Sequence, residues 1–243
     1  MKELPYRKHI VALDQNILII SDLHAPYSHP DWHPFLKAIK ENYKPDIVIN
    51  VGDEADKHAV SFHNSETSLF NADEELEKAI EELHRLRDLF PKMYLCESNH
   101  GSMIYRRLKV EGIPIRNLKP LAELYETPLW SWHHEIMIET HAGKVVVVHG
   151  KSGSYNKLAS EFGCSAVQGH FHSRFELTWH QSAHSTRFNM IVGCLVDSES
   201  MAFAYGKNFT KNPILGVGWI NELGEPTLIR MMLDKNNRWT GKL

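Results

Sequence analysis

Short apolar runs alternate with amphipathic stretches through the first part of the chain. Residues 16–21 (NILIIS) and 46–51 (DIVINV) are β-branched and bounded by polar positions, the pattern of buried strands, and 92–97 (KMYLCE) reads as a third. Between them the apolar period changes. Phe35, Leu36, Ile39 and Tyr43 recur at helical spacing within 30–43, and Leu76, Ile80, Leu83, Leu86 and Leu89 do so within 72–90. The second of these predicted helices has an acidic first turn and basic later turns, which suits its dipole, and Pro91 ends it. Residues 102–110 read as a further helix. The remainder turns mostly to strands, at 135–140, 144–149, 166–169, 175–180, 188–192, 217–221 and 227–233, with one helix at 155–162. Alternation followed by a β-rich half predicts an α/β protein with two sheets packed face to face and helices outside. No repeat or linker interrupts it, so a single domain over 1–243 is expected.

Composition narrows the picture. A chain of 243 residues, 42% hydrophobic, can bury one large core. Lys and Arg number 27 against 30 Asp and Glu, a balance that argues against a protein built to grip polyanions, though it allows a local basic pocket. No run approaches the ~20 apolar residues of a membrane span, and residues 1–7 lack a signal-peptide pattern. Cys96, Cys164 and Cys194 are too scattered for a disulfide framework or a CxxC metal site, so a reducing, cytoplasmic setting is expected. The 16 histidines are the unusual number. Most read as surface or capping residues, but some fall in a pattern.

That pattern lies at the strand ends. The first three apolar strands run into Ser21-Asp22-Leu23-His24, then Gly52-Asp53-Glu54-Ala55-Asp56, then Ser98-Asn99-His100-Gly101. Later strands run into His149-Gly150 and Gly169-His170-Phe171-His172. Ligands of α/β sheets bind beyond the carboxyl ends of strands, so five such ends would deliver these residues to one rim. Seven oxygen and nitrogen donors suit two divalent ions sharing a carboxylate, a pair that clamps the attacking and leaving oxygens of a phosphoryl displacement. Imidazole and carboxylate without thiolate favour ions such as Mn, Fe and Zn. The bland alternative is a set of turn and capping residues.

These motifs resemble the calcineurin-like metallophosphoesterase superfamily, whose pattern runs DxH, GDxxD, GNH, H and GHxH. The chain supplies D-L-H, G-D-E-A-D, S-N-H, V-H-G and G-H-F-H between residues 17 and 172, roughly two-thirds of its length. The resemblance implies a four-layer αββα sandwich of two mixed sheets and a dinuclear site. It implies Asp22, His24 and His172 on one metal, Asn99, His149 and His170 on the other, and Asp53 bridging. His100 would be the general acid, Asp56 would orient it, and the nucleophile would be a metal-bridging hydroxide. Manganese is the first expectation, with Fe, Zn, Mg or Co as alternatives. The G-C-L-V-D segment at 193–197 and F-A-Y-G at 203–206 are similar to those of small, phage-encoded members, which would make the compartment a host cytoplasm.

Three positions depart from the pattern: Ser98 replaces the usual glycine, Gly101 a common acidic residue, and Lys57 the arginine of protein phosphatases. Lys57, Arg106 and Lys151 are candidate phosphate contacts. Glu54 reads as a surface charge, His58 and His63 as loop histidines, His133 and His134 as packing residues beside Trp130 and Trp132, and Cys194 as a small buried residue.

The expected substrate is a small phosphomonoester, a nucleoside 5′-monophosphate first. The chain leaves little room for a substrate-capping domain, and Phe203, Tyr205, Gly206 and Phe209 within 193–218, with Trp219 just beyond, either wall a base pocket or fill the second sheet. A phosphodiesterase or nuclease is the alternative; a basic groove would need more than Arg85, Arg87, Arg106 and Arg107. A protein Ser/Thr phosphatase and a non-enzymatic metal-binding scaffold follow. Membrane association is not expected, and the oligomeric state is open.

Overall fold

The computed structural model describes residues 6–62, 69–150, 157–200 and 212–243. Twelve strands named within them form two six-stranded sheets. The strands are β1 (Arg7–Val11), β2 (Ile17–Ile20), β3 (Ile47–Asn50), β4 (Met93–Cys96), β5 (Trp130–His133), β6 (Glu135–Thr140), β7 (Gly143–Val148), β8 (Ser165–Gln168), β9 (Phe175–Gln181), β10 (Thr186–Val192), β11 (Gly216–Ile220) and β12 (Pro226–Arg230). One sheet is ordered β1-β6-β7-β8-β10-β9 and the other β12-β11-β2-β3-β4-β5. Both are mixed: β2 to β5 run parallel and β11 antiparallel to β2, while β7, β8 and β10 run parallel and β6 antiparallel to β7.

The period-two alternation of strand side chains builds the layers. Ile17 and Ile19 point inward with Ile49, Val51 and Cys96 to meet Ile136, Ile138, Val145, Val147 and Val167 of the facing sheet. Leu18 and Ile20 point the other way, under helices α1 (Trp32–Tyr43) and α2 (Ala72–Leu89), against Phe35, Leu36, Ile39, Leu83 and Leu86. Beyond α2 come α3 (Met103–Val110) and α4 (Leu121–Leu124). Val146 and Val148 likewise turn outward onto Leu158 and Ala159 of α5 (Leu158–Phe162). Helix, sheet, sheet and helix are therefore the four layers, and strands buried on both faces read as unbroken apolar runs. Each fully buried Leu or Ile contributes ~1.5–3 kcal/mol.

Helix α2 begins where the sequence places it because Asn71 caps the amides of Asp73 and Glu74 at 3.1 Å while the Glu74 carboxylate returns to the Asn71 amide at 3.2 Å. The expected helix at 155–162 is described from Leu158 onward; residues 155 and 156 lie outside the described residues. No helix among the described residues is long and apolar enough to cross a membrane.

Candidate metal centre

Parallel pairing carries the strand ends to one rim. Past β2 and β3 the ladder continues through the loops, with the amides of Asp22 and His24 donating to Gly52 and Asp53 at 3.0 and 2.9 Å. Across the sandwich, the Gly169 amide donates to the His149 carbonyl at 3.0 Å. The chain must twist sharply to turn side chains inward here. Asp22, His24, Asp53 and His170 all take left-handed φ values, between 50° and 67°. Such conformations are uncommon outside glycine and gather at functional sites.

Two clusters carry the expected donors, and a third group, His24, Asp56 and His100, overlaps the first. Asp22, His24 and His172 have ligating atoms mutually within 4.8 Å, and so do Asp53, His149 and His170. His172 Nε2 lies 3.1 Å from Asp22 Oδ1 and 3.2 Å from His24 Nε2. In the second cluster, His149 Nε2 lies 3.2 Å from Asp53 Oδ2 and 2.7 Å from Asn99 Oδ1. Asp53 Oδ2 is also 3.7 Å from His24 Nε2, so one carboxylate oxygen stands between the clusters. All seven expected donors meet.

The outer nitrogens of the buried imidazoles are occupied. Asp56 Oδ1 lies 2.5 Å from His24 Nδ1, and His149 Nδ1 donates to the Val51 carbonyl at 3.1 Å. Both arrangements leave Nε2 facing inward, the arrangement in which an acceptor behind a histidine fixes its tautomer toward a metal. Asp56 divides its work differently from the expected orientation of His100. Its carboxylate is 3.6 Å from His100 Nδ1, and it is the Asp56 main-chain carbonyl that accepts from that nitrogen.

Electrostatics fit a cation. Burial would raise Asp22 and Asp53, but hydrogen bonds and charges of the surrounding histidines hold both well below the ordinary carboxylate range. Burial would lower His24 and His149, yet Asp22, Asp56 and Asp53 raise His24 to about 10, and Asp53 chiefly raises His149 to about 9. Ionised carboxylates thus hold protons on imidazoles where a divalent ion would supply the positive charge. With three or more imidazole and carboxylate donors in each cluster and no thiolate, the donor set suits divalent ions of the Mn, Fe or Zn kind.

At the clusters opens a cavity of about 410 Å³ lined by the donors His24, Asp53, Asn99, His170 and His172, by Asp56 and His100, and by His58, Ser61, Phe62, Met103 and Arg106. Of the three candidate phosphate contacts, Arg106 lines it. Lys57 does not: its ammonium donates to the Gly101 carbonyl at 2.9 Å. Lys151 lies outside the described residues.

Other readings change. Glu54 is buried, not a surface charge; it accepts from Trp132 Nε1 at 3.2 Å, and burial raises its carboxyl. His58 is buried and faces the cavity, whereas His63 lies outside the described residues. Trp219 packs in the core against Tyr43 instead of walling a pocket, and Phe203, Tyr205, Gly206 and Phe209 lie outside the described residues. Sequence reasoning missed Phe62 and Met103. Met103 was readable three residues beyond His100 on a predicted helix; Phe62, a lone aromatic in a polar stretch, gave no signal.

An αββα sandwich with histidine and carboxylate clusters at its strand ends is an architecture fitted to hold divalent ions there. The calcineurin-like phosphoesterase profile matches residues 15–195, three-quarters of the chain, and the protein belongs to that family. Family and site together make it a metal-dependent phosphoester hydrolase in class. No curated protein matches the chain. Among solved structures it is similar to an archaeal phosphodiesterase (17% identity, 88% of this chain and 99% of the other, TM-score 0.47). It is also similar to Chaetomium thermophilum Vps29 (10%, 93% and 92%, 0.48) and to the E. coli phosphoesterase Yfce (14%, 85% and 88%, 0.47).

Proposed function

We propose that this chain, acting as one domain in a reducing cytoplasm, hydrolyses small phosphomonoesters, first among them nucleoside 5′-monophosphates, with two divalent ions, manganese by preference. Asp22, His24 and His172 would hold one ion, Asn99, His149 and His170 the other, and Asp53 would reach both. Bound there, the ions supply Lewis-acid polarisation of the phosphoryl group and lower the pKa of the attacking water.

The remaining steps belong to the chain. His100 donates Nδ1–H to the Asp56 carbonyl, which fixes the ring; as the imidazolium it would give its Nε2 proton to the departing oxygen and be left as the neutral Nδ1–H tautomer. Asp56 holds His24 from behind, keeping its Nε2 lone pair inward. Arg106 is the cation at the cavity wall that faces incoming anionic substrate.

The observation that carries the reading is the cavity itself. About 410 Å³ bounded by metal donors, one guanidinium and one exposed phenyl ring accommodates a single small phosphate ester. A strand of nucleic acid would call for a longer cationic track, and Arg106 is the one Lys or Arg among the described lining residues.

The decisive experiment strips metal from the protein, reloads it with Mn²⁺, and compares phosphate release from a 5′-mononucleotide panel with cleavage of bis(4-nitrophenyl) phosphate. Metal-dependent monoester turnover exceeding diester cleavage is expected. Diester cleavage with little monoester turnover would overturn the substrate assignment, and metal binding with no turnover would favour a scaffold.

A further inference from the structure

The part of the cavity lining that is not metal donor has its own order. His100, Met103 and Arg106 are spaced by three residues along the entry to α3 and its first turns, so they lie on one side of it, and all three line the cavity. Beside them His58, Ser61 and Phe62, from the segment that follows Asp56, also line it. Phe62 is 47% exposed although it is not loose. The Arg107 guanidinium backs its ring 4.3 Å from the centroid, and Arg107 is tied to the carbonyls of Val60, at 3.0 Å, and Ser61. The Arg106 guanidinium lies 5.2 Å from the same centroid and donates to the Asn99 carbonyl at 2.8 Å. An aromatic face is thus held in place by two cations while nearly half its surface stays open at the mouth of a reaction cavity.

Chemistry gives this wall a direction. The group that protonates a leaving oxygen sits between the phosphoryl centre and the departing fragment. With His100 in that role, Met103, Arg106 and Phe62 are the side chains the departing fragment meets. A phenyl face offers stacking, a thioether a soft apolar contact, and a guanidinium hydrogen bonds to carbonyl or ring-nitrogen acceptors. A nucleobase presents a planar face and such acceptors together. A bare sugar presents only the hydroxyls.

We propose that Phe62, Met103 and Arg106 form the leaving-group subsite and select a nucleobase, Phe62 by stacking and Arg106 by hydrogen bonding. This rests on the phosphomonoesterase reading above, and the test separates the two.

The Mn²⁺-loaded protein is assayed for kcat/KM on 5′-AMP, ribose 5-phosphate and O-phosphotyrosine, as wild type, Phe62→Ala, Phe62→Tyr and Arg106→Met. Binding of free adenosine, which carries no phosphate, is measured on the same proteins by calorimetry. The wild type is expected to prefer 5′-AMP over ribose 5-phosphate. Phe62→Ala should shrink that ratio about 5- to 150-fold, the range of base–aromatic stacking. Phe62→Tyr should restore it, and adenosine binding should follow the same order. An unchanged ratio in Phe62→Ala, or a wild-type preference for O-phosphotyrosine, would overturn the subsite. Should no monoester be turned over, the phosphomonoesterase reading fails by itself. Adenosine binding then decides the subsite: loss in Phe62→Ala sustains it, and no binding to the wild type removes it.

Discussion

The partner behind the buried histidine is a side chain in the Asp22–His24–His172 cluster, Asp56 on His24, and a main-chain carbonyl in the Asp53–His149–His170 cluster, Val51 on His149. In the first, Asp56 holds His24 from behind, and the carboxylate of Asp22 accepts from the Ser21 hydroxyl and, at 2.9 Å, from the His170 amide. In the second, the Val51 carbonyl holds His149, and Asp53 Oδ1 accepts from the His100 amide at 3.1 Å. Burial is alike in the two, each with two buried donors and one half-buried histidine, and only Asn99, which meets His149, is exposed. A ligand braced by a side chain can be loosened by one substitution, while a ligand braced by a carbonyl keeps its support under any substitution that preserves the backbone. The two ion sites should therefore respond differently to mutation, with Asp53 common to both.

The largest effect is expected at that shared residue. Asp53→Asn removes the charge of the one carboxylate that reaches both clusters, 3.2 Å from His149 Nε2 and 3.7 Å from His24 Nε2. Metal content measured by elemental analysis should fall for both ions, with turnover at background. Retention of two ions per chain would show that the clusters do not share a ligand.

A smaller and one-sided effect is expected from Asp56→Asn. The amide preserves shape but weakens the grip on His24 Nδ1, so one ion should bind ~10–100-fold more weakly, the usual cost of losing a partner behind a metal-bound histidine. Titration with Mn²⁺ should resolve one weakened and one retained site. Equal weakening of both would erase the contrast between the clusters.

What the sequence made legible follows from the same contrast. The donors were readable because their residue types are distinctive and each follows a strand buried on both faces, whose apolar run is unmistakable. The braces were not. A carbonyl such as that of Val51 or Asp56 belongs to every residue type and leaves no mark in composition. The pairing of Asp56 with His24 spans 32 positions, and nothing in the spacing chose His24 over the nearer-fitting His100. Glu54 looked like a surface charge because the residues that bury it, Trp132 among them, arrive from a distant strand. The two strands the pattern did not reveal, β1 and β5, are both sheet edges; RKHIV is largely exposed, and WSWH, though mostly buried, carries indoles, a hydroxyl and an imidazole in place of an aliphatic run.

Two glycines allow each cluster to be disturbed without replacing a ligand, and they give the smallest effects. Gly169 sits so close to β2 that an added Cβ would lie 1.9 Å from Ser21 Oγ and 2.5 Å from Asp22 Oδ2. Gly52, at φ +112°, would bring a Cβ within 2.7 Å of Ser98 Cβ and 3.0 Å of His149 Nδ1. Alanine at either position forces a shift, with a stability loss of ~1–3 kcal/mol visible in thermal unfolding of the metal-free protein. The shifts differ in target: Gly169→Ala pushes on the carboxylate of the first cluster, Gly52→Ala on the imidazole of the second. Mn²⁺ titration should accordingly weaken the Asp56-dependent site in Gly169→Ala and the other in Gly52→Ala. Combining each with Asp56→Asn checks the assignment. Gly52→Ala should add to Asp56→Asn by affecting a separate ion, while Gly169→Ala should be less than additive because both act on one. Additivity in both pairs would mean that the two clusters yield as a single unit.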